Sequence, residues 1–187
     1  NLDNLLRTLD IIKDPLGLDL SHRKITVSSV GLLEGLRMLK PKVAGLAISL
    51  NAADEAKRTY LMPINRLYPI RDIINFVRGF RGSRRIRVTF EYVLIKDVND
   101  SLADAKGLAE LLAGLRCKIN LIPYNESRYI DFKAPDPGSV EQFQSYLLER
   151  HFTAILRDSR GRDIHAACGQ LGMRYLEEKR SGHTTGL

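Results

Sequence analysis

Apolar residues occur along the chain in alternating helical stripes and short continuous runs, and this alternation predicts an α/β protein. The first stripe consists of Leu2, Leu5, Leu6, Leu9 and Ile12. Its helix is predicted to end at Asp14 and Pro15, because proline donates no N–H and its ring clashes with the preceding turn. A β-branched run at 24–28 then predicts a strand, and a second helical stripe over 32–39 ends before Pro41.

The same strand-and-helix unit recurs in the rest of the chain. The continuous apolar run at 44–50 predicts a strand that is buried on both faces, and Asp54 is predicted to cap a short helix after it. Later helices are predicted to begin at Pro69, at Asp100 or Ser101, and at a capping box formed by Ser139 and Gln142. The remaining strands are predicted at 85–95, 117–123 and 152–156.

Strands that alternate with helices require parallel pairing through right-handed crossovers, as in an open doubly wound sheet or a (βα) barrel. The sequence contains neither G-x-G-x-x-G after its first strand nor G-x-x-x-x-G-K-[ST], which argues against the common nucleotide-binding sheets. Small polar residues follow several strands, at the end where barrel active sites form: Ser28, Ser29, Ser49, Asn51 and Asn125. Each alone is an ordinary turn residue, but all are predicted to lie on one rim.

Composition and charge narrow the class of protein only slightly. The hydrophobic fraction of 44% and the charged fraction of 27% are typical of globular proteins, and no apolar run is long enough to span a bilayer. The net charge of +7 favours a polyanionic partner. Two cysteines do not form a disulfide framework and the first residues do not resemble a signal peptide, so we expect a cytoplasmic protein. Because the chain opens with a helix and without Met, we expect it to be the later part of a larger protein.

One cysteine near the end of the sequence has an unusual setting. Cys168 follows two alanines and precedes Gly169, so the backbone on either side is open to close approach by a ligand. A buried structural cysteine is the simpler alternative, since free cysteine is among the most buried residue types. Cys117 opens a strand at its amino end, about 25 Å from the rim that carries Asn125, and is expected to pack in the core.

Six segments occur in order without large gaps, and together they resemble the RlmN/Cfr family of radical S-adenosyl-L-methionine (SAM) RNA methyltransferases. The segments are SHRKITVSSVG (21–31), AISL (47–50), FEYVL (90–94), VND (98–100), CKINLIPYN (117–125) and AACGQL (166–171). The resemblance implies a partial (βα) barrel of the radical SAM type. Residues 1–157 are then the later βα units of the barrel, 158–173 the catalytic-cysteine loop, and 174–187 a flexible tail.

The resemblance also implies a reaction and its participants. It implies methylation of carbon 2 of an adenine in large-subunit ribosomal RNA, with tRNA as a second substrate and carbon 8, the Cfr position, as the alternative. Cys168 is implied to carry the methyl group as S-methylcysteine. SAM is implied to contact the positions that match Ser28, Ser49, Leu50, Asn51 and Asn125. The enzyme is expected to act as a monomer, and an electron donor is expected to reduce its cluster.

Parts of the family's machinery are missing from this chain. The family holds its 4Fe–4S cluster on the three cysteines of a C-x-x-x-C-x-x-C motif, and this chain has only Cys117 and Cys168. The cluster ligands, the general base and the second thiol are therefore expected outside it, and these 187 residues alone are expected to be inactive. The four histidines show no short metal-binding spacing, so no metal ligand is assigned here.

The sequence departs from the family at three places. Asn51 stands where the family has histidine, His165 stands where it has aspartate, and 126–129 replace a proline-rich turn. The change at Asn51 puts a SAM contact through that side chain in doubt. Together the departures are compatible with a divergent branch that acts on a different RNA.

Two basic clusters are compatible with RNA binding, although solvated turns are often basic. The first consists of Arg78, Arg81, Arg84, Arg85 and Arg87, with Phe80 among them, and the second consists of His22, Arg23 and Lys24.

Two other classes of protein remain open. One is a barrel that binds RNA without catalysis, which would lack the cluster cysteines. The other is a lyase or aldolase unrelated to RNA, which would need a lysine or metal-binding carboxylates on the rim. Glu91 is a carboxylate candidate, but it is predicted to lie inside a strand.

Overall fold

The computed structural model describes residues 1–40, 42–79, 86–126 and 130–157. Within these ranges five strands form one sheet: β1 (Thr26–Ser29), β2 (Gly45–Ser49), β3 (Arg87–Leu94), β4 (Cys117–Pro123) and β5 (Thr153–Leu156). The helices of the same ranges are α1 (Leu2–Lys13), α2 (Leu33–Leu39), α3 (Glu55–Leu61), α4 (Ile70–Arg78), α5 (Leu102–Leu112) and α6 (Pro137–Glu149). Short 3₁₀ helices cover His22–Lys24 and Pro63–Arg66.

The order of the strands in the sheet follows their order in the chain, and every neighbouring pair is parallel. A doubly wound sheet reverses its strand order at a switch point, and this sheet does not. Successive right-handed crossovers in one direction place the connecting helices on one face, as in a barrel. The prediction of a partial (βα) barrel is therefore confirmed, and the doubly wound alternative is wrong.

The two faces of the sheet have different chemistry. One face is apolar and packs into the core with the helices, through Val27, Leu46, Ile48, Val88, Phe90, Tyr92, Leu94, Ile119, Leu121 and Ala154. The pairing register puts Ser28 beside Ala47, Ser49 beside Glu91, and Glu91 beside Asn120 on the opposite face. Its polar residues are exposed or half-buried. The polar face corresponds to the interior of a barrel, because the helices pack against the other face.

Side-chain caps fix the start of two helices as the sequence indicates. The Asp54 carboxylate accepts the Lys57 N–H at 2.8 Å at the start of α3. At the start of α5, Ser101 Oγ accepts the Asp104 N–H at 3.2 Å, and Asp104 Oδ2 accepts the Ser101 N–H at 3.3 Å. This capping box satisfies N–H groups that have no partner within the helix. Of the two predicted caps, Asp100 and Ser101, the structure has Ser101.

The predicted capping box of Ser139 and Gln142 is wrong. α6 begins at Pro137, with Asp136 in the N-cap position, so that Ser139 lies inside the first turn. Proline is favoured at the first helical position because its fixed φ suits the helix and its missing N–H would have no partner there. The Asp136 carboxylate makes no cap bond and instead accepts a hydrogen bond from Lys96 Nζ at 3.0 Å.

The boundaries of β1, β2, β3 and β5 also differ by one or two residues from the pattern-based prediction. β1 starts at Thr26 because residues 22–24 form a 3₁₀ helix whose cap, Ser21 Oγ, accepts the Arg23 N–H at 3.4 Å. β2 ends at Ser49, and its residues 45–48 are buried as predicted. None of the helices in the described ranges is long and apolar enough to span a membrane.

Candidate functional site

A cavity of about 510 Å³ opens beside the first strand of the sheet. Its volume falls within the range of roughly 300–1,000 Å³ that is usual for small-molecule sites. Residues of α1, β1 and α2 form most of its wall. Its polar lining residues are Asn1, Ser28, Ser29, Glu34, Ser49 and Tyr68. A largely apolar wall with a few polar groups is typical of a site for an organic ligand.

Two of the serines predicted to bind SAM lie together in this cavity. Ser28 pairs with Ala47 in the sheet, and Ser49 lies two residues further along β2 on the same polar face. Both line the cavity, Ser28 exposed and Ser49 half-buried. A hydroxyl both donates and accepts, so this pair can bind ribose, amino or carboxylate groups of a ligand. The prediction that these two serines bind SAM is compatible with their positions, because both line the same cavity.

The neighbouring serine has a structural role in the turn after β1. Ser29 Oγ accepts the N–H of Gly31 at 3.1 Å and of Leu32 at 3.2 Å. The turn needs glycine, because Gly31 has a φ of +101°, and a Cβ there would lie 2.5 Å from Ile73 Cδ1. Ser29 and Gly31 therefore shape one wall of the cavity.

Glu34 and Tyr68 line the same cavity, and sequence reasoning missed both. The Tyr68 hydroxyl donates to a carboxylate oxygen of Glu34, and this bond lowers the pKa of Glu34 and raises that of Tyr68. The carboxylate is therefore ionised at neutral pH. The two residues are 34 positions apart and neither belongs to a recognisable motif, so the pattern of the sequence contains no signal for the pair.

Leu50 and Asn51 follow Ser49 in sequence, but they do not line the cavity. The Leu50 side chain is fully buried, and its N–H donates to the Glu91 carbonyl at 2.9 Å. Asn51 has a φ of +60°, a region that asparagine tolerates better than most residues. Its Oδ1 accepts the Val93 N–H at 3.0 Å. β2 has ended at this point, so the Asn51 side chain takes the place of a strand partner for β3.

The other predicted site residues lie further from the cavity or outside the described ranges. Asn125 is half-buried just after β4, on the same rim, and three strand spacings separate β4 from β1, about 14 Å. Cys168 and His165 lie outside the described residues, as do the loop at 158–173 and the tail. The assignment of Cys168 as methyl carrier therefore stays a prediction from the sequence.

Three buried polar residues lie beneath the rim, and sequence reasoning did not single them out: Arg58, Asn65 and Asn99. Asn99 joins the end of β3 to the loop after β2. Its Nδ2 donates to the carbonyls of Asn51 and Val93, each at 2.7 Å, and its Oδ1 accepts the Ile95 N–H at 2.7 Å. Asn99 belongs to the VND segment (98–100), one of the six segments that resemble the family, so the sequence drew attention to its position. Nothing in the sequence indicated that Arg58, on a short helix, would be buried.

The described residues contain little that supports a metal-dependent lyase. No group of three or more His, Cys, Asp or Glu side chains is placed to hold a metal ion in these ranges. Glu91 lies on the polar face, where its carboxylate is 3.7 Å from Arg157 Nη1. An ion pair with Arg157 is a sufficient structural role for this carboxylate.

Cys117 packs against the core, as predicted, although it is half-buried rather than fully enclosed. Burial raises the pKa of its thiol to about 11. A thiol of this pKa is almost entirely protonated at neutral pH and is a poor nucleophile. Cys117 is the first residue of β4, so it lies at the amino end of the strands, opposite the rim that carries Ser49.

The described members of both basic clusters also lie at the amino end of the sheet. Residues 22–24 precede β1, Arg78 ends α4, and Arg87 opens β3. The Arg87 guanidinium donates to the Arg23 carbonyl, which joins the two clusters. Phe80, Arg81, Arg84 and Arg85 lie outside the described residues. The members that the structure describes, Arg78, Arg87 and residues 22–24, therefore lie at the rim opposite the cavity serines.

Eight curated proteins that are 42–46% identical to this chain carry the same name. The dual-specificity RNA methyltransferase RlmN of Geobacter sulfurreducens is 46% identical over 183 residues, which cover 97% of this chain and 51% of that protein. The RlmN of Syntrophotalea carbinolica is 45% identical over 172 residues, which cover 91% of this chain and 46% of that protein. A comparison with protein-family models finds no match.

Solved structures give the same result for the fold. A radical SAM methyltransferase from Sphaerobacter thermophilus superimposes with a TM-score of 0.84 at 42% identity, over 89% of this chain and 49% of that one. A domain of pyruvate-formate lyase-activating enzyme from Bacteroides vulgatus superimposes with a TM-score of 0.65 over 84% of this chain and 93% of that domain. At 21% identity the second match supports the fold alone.

The sequential parallel sheet, its polar inner face and the cavity at the carboxyl rim define a portion of a radical SAM-type (βα) barrel. Within that class, the chain belongs to the RlmN/Cfr family of radical SAM RNA methyltransferases, as the ordered motifs indicated. The chain spans about half the length of the curated relatives it matches.

Proposed function

We propose that this chain supplies the later βα units of a radical SAM enzyme that methylates carbon 2 of an adenine in large-subunit ribosomal RNA, with tRNA as a second substrate. The observation that carries the proposal is the identity of 45% with a protein named as an RNA methyltransferase over 91% of this chain. The proposed protein acts in the cytoplasm as a monomer, and an electron donor reduces its cluster.

Within this proposal, the rim residues of the chain bind SAM, which supplies the methyl group when it is bound. Ser28 and Ser49 offer converging hydroxyls in a cavity of about 510 Å³, and the ionised Glu34 can accept hydrogen bonds from the cofactor's amino or ribose groups. Asn125 provides an amide further along the rim. Leu50 and Asn51 act by shaping the loop after β2, because their polar atoms are engaged within the protein.

The 4Fe–4S cluster needs ligands from outside this chain. The family motif uses three cysteine thiolates, whereas the sequence has Cys117 and Cys168, and the raised pKa of Cys117 does not suit it as a ligand. We therefore propose that the 187 residues alone form no cluster and do not methylate RNA. A cluster-type absorbance in the reconstituted chain would contradict this.

Cys168 is the proposed methyl carrier. Cys168 would hold the methyl group on its Sγ as a thioether after the sulfonium–methyl bond of SAM is broken. The radical chemistry that moves the carbon on to the adenine would be supplied by a second SAM and the cluster. The role requires a thiolate that can reach both cofactor and base, and the flanking Ala167 and Gly169 leave room for that approach. His165 lies three residues earlier in the sequence, where the family has aspartate.

The test is an anaerobic assay of the full-length protein with SAM and RNA, in which mass spectrometry maps the methylated atom. We expect methylation at carbon 2 in the wild type, none in Cys168→Ala, and retained activity in the matched control Cys117→Ala. Undiminished methylation by Cys168→Ala would remove that residue from the mechanism. Methylation at carbon 8 would identify a Cfr-type enzyme, and RNA binding without methylation would identify a non-catalytic barrel.

A further inference from the structure

Arg58 is a charged residue with no exposed surface, and it lies directly behind the cavity wall. Its guanidinium has five N–H donors, and the structure gives five bonds to it. Nε donates to the Leu50 carbonyl at 3.1 Å. Nη1 donates to Asn65 Oδ1 at 2.6 Å and the Tyr68 carbonyl at 3.2 Å, and Nη2 donates to the carbonyls of Val30 at 2.8 Å and Ser49 at 3.2 Å.

All five acceptors of Arg58 are uncharged oxygens. Burial without a directly bonded carboxylate is unfavourable for a cation, and it lowers the pKa of Arg58. Glu55 supplies a balancing charge that opposes this lowering of the pKa. Arg58 is linked to it through Asn65, whose Nδ2 donates to Glu55 Oε2 at 2.7 Å. The planar, five-donor shape of arginine is what this arrangement uses, and lysine does not provide it.

The acceptors are the backbone of the cavity wall itself. Three of them, the carbonyls of Val30, Ser49 and Tyr68, belong to residues that line the cavity. Val30 follows β1 and Ser49 ends β2, so one guanidinium joins the two strand ends that carry the cavity hydroxyls. Asn65 and Glu55 extend the network to α4, because the Glu55 carboxylate accepts the Ile70 N–H at 3.2 Å.

We propose that Arg58 is a positioning residue for SAM. It sets the separation of the backbone after β1 and after β2, and through this separation it brings the hydroxyls of Ser28 and Ser49 together in the cavity. The inference rests on the proposed function, in which these serines bind the cofactor. Arg58 itself does not line the cavity, so its effect on the cofactor is indirect.

The experiment compares SAM affinity in full-length, cluster-reconstituted protein by anaerobic equilibrium dialysis. Arg58→Lys keeps the charge but places its three donors on one atom, so it cannot bridge the two strand ends. We expect an affinity for SAM that is about ten-fold lower, which corresponds to about 1.4 kcal/mol. Phe143→Leu is the control. Phe143 belongs to α6 and packs against Tyr92 of β3, with ring centroids 5.3 Å apart, and neither residue lines the cavity. This variant should lower the melting temperature without changing SAM affinity.

Unchanged SAM affinity in folded Arg58→Lys would overturn the inference, and so would an equal loss of affinity in Phe143→Leu. If Arg58→Lys does not fold, Asn65→Ala takes its place: it keeps the guanidinium but removes the acceptor at 2.6 Å, and wild-type affinity in this variant would overturn the inference. The proposed function fails separately, if the wild type binds no SAM.

Discussion

Single residues around the cavity divide by how their polar atoms are used. The side chains of Asn51 and Asn99 satisfy backbone groups where β2 and β3 end, so their hydrogen bonds stabilise the rim. Ser28 and Ser49 instead line the cavity itself. Small polar residues at strand ends therefore have different roles, and only the three-dimensional structure distinguishes them.

The two serines give a test at the residue scale. We expect Ser28→Ala and Ser49→Ala each to weaken SAM binding by about three- to ten-fold in the full-length protein, because a hydrogen bond contributes roughly 0.5–1.5 kcal/mol. Isothermal titration with SAM measures this loss. Thr8→Ala is the control, since this exposed hydroxyl bonds to the Asn4 carbonyl on α1 outside the cavity. Equal affinities in all three variants would place SAM elsewhere.

Cys117 gives a second test at this scale. Its pKa is raised from 9.0 to about 11 by burial, so alkylation by iodoacetamide should be slow at pH 8 and should accelerate toward pH 11. Because the folded pKa is the higher one, the contribution to stability is full below pH 9.0 and is lost as the pH rises to about 11. In the Cys168→Ala form of the chain Cys117 is the only thiol. Fast alkylation at pH 8 would contradict its burial.

Helices and strands match the sequence prediction closely where the apolar pattern and the turn residues at their ends agree. β4 covers 117–123 as predicted, because its flanking turns and apolar positions are unambiguous. α4 begins at Ile70, directly after Pro69, and has the predicted buried stripe of Ile70, Ile73, Ile74 and Val77. The start of α6 was misplaced because a capping-box pattern competes there with Pro137, and the N-cap is Asp136, three residues before the predicted Ser139.

The two serines in these cap patterns give a matched test at the element scale. Ser101→Ala removes a cap that the structure contains, and we expect it to lower the free energy of unfolding by about 1 kcal/mol. Ser139→Ala changes a residue inside the first turn of α6, and we expect a change within about 0.5 kcal/mol. Denaturant unfolding followed by circular dichroism measures both. A larger loss in Ser139→Ala would mean that α6 starts later than described.

The candidate site was predictable only in part, for a physical reason. Polar residues at strand ends can be read from the sequence, since parallel strands bring their carboxyl ends to one rim. The buried Arg58 could not, because a charged residue on a short helix is ordinarily solvated and its acceptors are backbone carbonyls from distant segments. Backbone carbonyls are present in every sequence and carry no pattern.

At the scale of the whole molecule, the described basic residues and the cavity serines lie at opposite ends of the strands. The net charge is +7, yet the described members of both basic clusters lie at the amino end of the sheet, opposite the cavity. An RNA bound at the carboxyl rim would not contact them. For the described members, Arg78, Arg87 and residues 22–24, this position favours solvated turns over contacts with an RNA at that rim.

This arrangement predicts the salt dependence of RNA binding. A single phosphate contact changes the slope of log affinity against log salt concentration by about 0.7 for single-stranded RNA. We expect the double variant Arg23→Ala, Lys24→Ala to change this slope by less than that amount. Filter binding by the full-length protein at several salt concentrations measures the slope. Arg7→Ala with Lys106→Ala, on exposed helix positions, is the control for net charge. A slope reduced only by the first pair would show that RNA reaches the amino rim.

The uncharged acceptors around Arg58 have a consequence for protein engineering. A designer who wants the barrel to accept a bulkier sulfonium analogue would ordinarily enlarge the pocket by trimming its lining. Under the role proposed for Arg58, the width of the opening depends on the guanidinium behind the wall and on the amide of Asn65 that accepts its hydrogen bond. Altered cofactor choice should therefore arise more readily from substitutions at Asn65 and Glu55 than from changes to the visible pocket surface.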